Sequence, residues 1–88
     1  MRVKKIIVEG EVAFGIRYDF STHELLIGGP ARFQQAMEDK LRFLGILGVE
    51  WERKASRIRG LVEDVSLTEE EWDQIEGRSV SSFRRMMV

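Results

Sequence analysis

The chain has 88 residues, with 14 Lys and Arg against 15 Asp and Glu, one His, one Pro and no Cys. That length holds one domain with a modest core, burying roughly 60–65% of the unfolded surface, and 43% hydrophobic with 33% charged residues exclude global disorder. A net charge of −1 excludes the overall basic pull of a dedicated DNA binder, and the missing thiols exclude disulfides, thiolate metal sites and a Cys nucleophile.

Residues 1–29 read as β structure. Val3 to Val8 is β-branched and apolar, and Glu9-Gly10-Glu11 supplies a turn. Val12, Phe14, Ile16, Tyr18 and Phe20 then alternate with Ala13, Gly15, Arg17, Asp19 and Ser21, the period of a half-buried strand. Ser21-Thr22-His23 makes a second turn, and Glu24 to Ile27 a short third strand. The expectation is a three-stranded antiparallel meander with one apolar face that needs a helix to cover it.

Gly28-Gly29-Pro30 ends the third strand, and Pro30 suits the first turn of a helix. Phe33, Met37, Leu41 and Leu44 recur at helical spacing, and Glu38 with Arg42 stands at i and i+4, which predicts a helix over 31–46. The 4-3 spacing continues through Gly48, Trp51, Ala55, Ile58, Val62 and Val65. Gly45 and Gly48 each cost about 1 kcal/mol in a helix, so the spacing predicts a break there and a second helix from Val49 to Gly60. Leu61, Glu63, Val65 and Leu67 also alternate, and a strand over 61–67 that joins the sheet competes with the helical reading.

The last element opens on a capping box, Thr68 with Glu71, and on Leu67 and Trp72 at the positions of a hydrophobic staple. Trp72, Ile75, Val80, Phe83 and Met87 predict a final helix, which Gly77 weakens or splits. The expected fold is therefore α+β: an N-terminal three-stranded antiparallel meander covered by a helix, then a mainly helical C-terminal half, all in one compact unit over 1–88.

Catalytic signals are poor. The single His23 lies in a turn segment with Thr22 and Glu24, where such residues serve the backbone. No second His or Cys is present to build a zinc site, and the acidic residues lack EF-hand spacing. Gly28-Gly29-Pro30 lacks the Lys-Ser/Thr of a phosphate loop. A non-enzymatic protein without a cofactor is expected. No apolar run exceeds three residues, so no membrane span or secretory core is expected, and the location expected is cytoplasmic.

The charges are grouped. Arg53, Lys54, Arg57 and Arg59 fall within 53–59; Glu63, Asp64, Glu69, Glu70, Glu71, Asp73 and Glu76 follow without a base; Arg78, Arg84 and Arg85 come last. Mutual pairing of these blocks is the plain reading. The apolar, Arg-flanked C-terminal stretch points instead to docking, because Trp, Met and Arg concentrate at interface centres. The functional expectation is a small interaction or regulatory module that binds a protein partner or its own copies, with Trp51, Arg53, Arg57, Phe83, Arg84, Arg85 and Met87 in contact. The alternative is a nucleic-acid-binding regulator using Arg53, Lys54, Arg57, Arg78, Arg84 and Arg85, with 68–87 laid out as helix, Gly77 turn and recognition helix.

Overall fold

The structure is a computed structural model and describes residues 2–79. Strand β1 (Arg2–Val8), β2 (Glu11–Asp19) and β3 (Glu24–Pro30) pair as antiparallel neighbours. A 3-10 turn, Ala31–Phe33, leads into α1 (Gln34–Phe43). The chain returns as a hairpin of β4 (Glu50–Lys54) and β5 (Arg57–Val62), then forms α2 (Glu69–Gln74) and a two-residue strand β6 (Arg78–Ser79). The sheet order is β4-β5-β3-β2-β1-β6, antiparallel throughout.

This corrects the expected fold. The sheet has five strands of five to nine residues and a two-residue sixth, not three strands, and the C-terminal half is not mainly helical. The helix expected over 49–60 is the β4–β5 hairpin. Its 4-3 apolar spacing is coincidental, because Arg57, Arg59 and Leu61 alternate with Ile58, Gly60 and Val62 at the strand period. The competing strand over 61–67 takes only Leu61 and Val62 into β5. Gly28-Gly29-Pro30 does not end β3. It continues the strand, pairing with Arg59, Ile58 and Arg57 of β5, so helical turns begin only at Ala31. α2 stops at Gln74, and Arg78–Ser79 pairs with Lys5 and Lys4 of β1, so the helix expected across Gly77 is not formed there. Val80, Phe83 and Met87 of the expected stripe lie outside the described residues.

One face of the sheet is covered. Ile6, Phe14, Ile16, Tyr18, Leu25, Ile27 and Ile58 turn toward it and pack with Met37 and Leu41 of α1 and with Val65, Trp72 and Ile75 of the C-terminal segment. The short α2 is held at both ends. At its start Thr68 and Glu71 form the reciprocal capping box. At its end Lys4, a residue only 3% exposed, donates from its ammonium to the carbonyls of Trp72 at 2.5 Å and Ile75 at 2.8 Å, a cation at the negative end of the helix. The segment before α2 is fixed by the fully buried Tyr18. Its hydroxyl donates to the Val65 carbonyl and accepts from Leu67 N–H at 3.1 Å, and its ring stacks on Trp72.

Removal of the Tyr18 hydroxyl leaves a buried carbonyl and N–H without their partner. Tyr18→Phe is expected to lower unfolding free energy by about 1–3 kcal/mol, read from urea denaturation. Burial pushes the Lys4 pKa down. Its charged form is therefore disfavoured in the fold, a penalty present below the folded pKa and relieved as pH rises from there toward the unfolded value of about 10.4. A neutral amine still has two N–H groups for the two carbonyls. The urea midpoint of wild type relative to Lys4→Met is expected to improve as pH rises through the alkaline range toward the unfolded pKa of about 10.4; a pH-independent difference would contradict this origin of the shift.

Candidate interaction surface

The opposite face of the sheet carries neither helix. Strand alternation places on it the residues between the core positions: Val3, Lys5 and Ile7 of β1, Gly15 and Arg17 of β2, Leu26 and Gly28 of β3, Arg57, Arg59 and Leu61 of β5, and Glu50, Glu52 and Lys54 of β4. The register aligns Lys5, Gly15, Gly28, Arg59 and Glu52 in one row across five strands. Two adjacent glycines at its centre make a floor without side chains, and the long side chains of Lys5 and Arg59 stand about 14 Å apart as walls, three inter-strand steps. The result is an open trough of about 870 Å³, lined among others by Lys5, Arg17, Lys54, Arg57 and Arg59.

Of the five bases on this face, Arg59 is paired with Glu52 and the other four are in no ion pair among the described residues. Among the described residues the ion pairs are Arg2–Glu69, Arg32–Glu11, Arg42–Asp39 and Arg59–Glu52. Lys5, Arg17, Lys54 and Arg57 take part in none of them. The expected pairing of the 53–59 bases with the acids of 63–76 is not among these pairs; Arg59 meets Glu52 across the hairpin at 2.7 Å instead. Aliphatic side chains share the face, with Ile7 37%, Val12 49% and Leu61 43% exposed.

Gly15 has room for a side chain. A Cβ built there would meet only the Lys4 carbonyl oxygen, at 3.8 Å. Gly60, on the covered face, is the opposite case: a Cβ there would fall 2.6 Å from Val49 Cγ1 and 3.0 Å from the Trp51 ring. Trp51 lies against that gap. A strand glycine weakens its strand, so Gly60 is explained by the tryptophan and Gly15 is not explained by packing.

The residues singled out from the sequence are dispersed. Trp51 is half-buried at the edge of the core, and Arg53, on the same side of β4, donates to the Ala55 carbonyl. Lys54 and Arg57 pair with each other on the open face, so that face unites part of both expected sets. Arg78 lies in β6; Phe83, Arg84, Arg85 and Met87 lie outside the described residues. His23 sits in a turn with φ of 62°. Its N–H donates to the Asp19 carbonyl, its carbonyl accepts from Val65 N–H, and its ring stands 3.4 Å from the Tyr18 hydroxyl. Lys5, Gly15, Arg17 and Gly28 were missed by sequence reasoning. The signal was present in the alternation of β2, whose interleaved residues include Gly15 and Arg17.

No protein-family model, no curated protein and no solved structure matches this chain. Among the described residues no helix is long and apolar enough to cross a membrane.

Because Gly15 has open space and an ordinary strand conformation, Gly15→Val is expected to raise stability by up to about 1 kcal/mol, through lower chain entropy and higher strand propensity. A rise or no change in thermal midpoint fits this account; a fall of several degrees would show that the glycine serves packing.

Proposed function

We propose that the chain is a non-enzymatic interaction module whose open sheet face binds an acidic, amphipathic segment of a protein partner. The observation that carries this reading is the cluster of Lys5, Arg17, Lys54 and Arg57, unpaired among the described residues, around a glycine floor that packing does not require at Gly15. A glycine inside a strand without a packing reason leaves space for close approach by another chain. The exposed Ile7, Val12 and Leu61 offer apolar contact beside the cations, and an α-helix about 10–12 Å across matches the span between the Lys5 and Arg59 walls. Cations at the rim steer encounter and set orientation, while the aliphatic contacts supply the burial.

A nucleic-acid ligand is the alternative that the same cations support. One feature favours protein: the exposed apolar residues of this face are aliphatic, whereas single strands are held by stacking on aromatic rings.

The test is a fluorescence-anisotropy titration with a labelled amphipathic peptide, Glu on one side and Leu on the other, run beside a labelled mixed-sequence DNA duplex. The peptide is expected to bind, and Gly15→Val is expected to weaken it at least about tenfold, or about 1.4 kcal/mol, in a protein that remains folded. Equal peptide binding by wild type and Gly15→Val overturns the reading. Tight duplex binding with a steep salt slope and no peptide binding moves the assignment to the nucleic-acid alternative.

A further inference from the structure

We propose that the trough receives the acidic back of a second copy of this chain, residues 63–76, so that copies associate head to tail. This rests on the reading of the open face as a protein-binding surface, and it names an occupant that meets the cations of that face and not its aliphatic residues. Glu63, Asp64, Glu69, Glu70, Glu71, Asp73 and Glu76 are all exposed, and no base interrupts them. Among the described residues only Glu69 of these is in an ion pair, with Arg2. Tyr18 and Lys4 bind the segment to the covered side of the sheet, so its apolar residues Val65, Trp72 and Ile75 face inward and its acids face out.

α2 packs on the covered side of the sheet and the trough lies on the other, which puts Glu69, Glu70, Glu71 and Asp73 about 10 Å or more from the trough cations, the sheet-to-layer spacing. That is at or beyond the Debye length of about 8 Å at physiological ionic strength. Between copies the same surfaces are complementary. A contact of one copy's back with the next copy's trough is heterologous, and each addition leaves one free trough and one free back, so the association continues rather than closing as a symmetric pair. With 14 bases and 15 acids, net repulsion does not oppose it. The apolar side of α2 is already used in its own core, so the contact is dominated by charge and is sensitive to salt.

The experiment is sedimentation velocity on wild type and two neutralised variants: Lys5→Gln with Lys54→Gln and Arg57→Gln in the trough, and Glu70→Gln with Asp73→Asn on the back. Wild type is expected to form a concentration-dependent series at about 50 mM salt and to run as a monomer at about 500 mM, where the Debye length has fallen to about 4 Å. Each variant alone is expected to stay monomeric. Their equimolar mixture is expected to give a one-to-one dimer and nothing larger, because one variant supplies the only intact back and the other the only intact trough. A monomeric wild type at low salt, a trough variant that self-associates, or a mixture that stays monomeric overturns the inference. If the Glu/Leu peptide still binds wild type in any of those cases, the protein-binding reading of the face stands and only the occupant is wrong; if it does not bind, both fall.

Discussion

A five-stranded sheet with one apolar face must have that face covered, and this chain has few helical residues with which to do it. α1 supplies ten residues and α2 six. An isolated helix of six residues is far too short to be stable in water. It persists because the sheet grips it through two polar side chains that rise from the core face: Tyr18 fixes the backbone leading in, and Lys4 takes the carbonyls at its exit. Between β5 and β6 the chain is positioned by those two residues together with the Val65 N–H bond to the His23 carbonyl.

That grip determines how charge is distributed over the molecule. By tying α2 and its acids to the covered side, it leaves Lys5, Arg17, Lys54 and Arg57 without an ion-pair partner on the other, among the described residues. A sequence average of nearly zero net charge conceals this uneven distribution. The two glycines in the middle of the basic surface lower the floor between the cations, and this relief makes it a trough rather than a flat array of charges.

The first three strands and the capping box were legible because their signals are local. Val12, Phe14, Ile16 and Tyr18 of β2 alternate in sequence, although a bulge in the β1–β2 pairing turns Val12 to the open face, and Thr68 and Glu71 stand three residues apart. The hairpin was illegible for two physical reasons. Its open face carries Arg57 and Arg59, and its core face carries Gly60, so neither side looks like a strand buried on one side. Its turn, Ala55-Ser56, lacks the Asn or Gly that normally marks a two-residue connection, although Ala55 adopts φ of 57°. The strand nature of Gly28-Gly29-Pro30 was hidden because it depends on pairing with β5, far along the chain. The trough followed the same course: Gly15 and Arg17 were visible as the back of β2, but their neighbours across the face come from strands the sequence did not reveal.

The central position of β3 governs how the sheet is assembled. It lies between β2, which follows from a tight turn, and β5, which reaches it only after the whole of α1 and β4. The meander and the β4–β5 hairpin can each form from local contacts, whereas joining them closes a loop that contains α1, an entropy cost that precedes any gain from pairing. Until that step, the β3 edge from Leu25 to Pro30 is open. An identical hairpin from another molecule offers it the same partners in the same register, so at high concentration refolding has two ways to complete the sheet: within one molecule, or by exchange of hairpins between two.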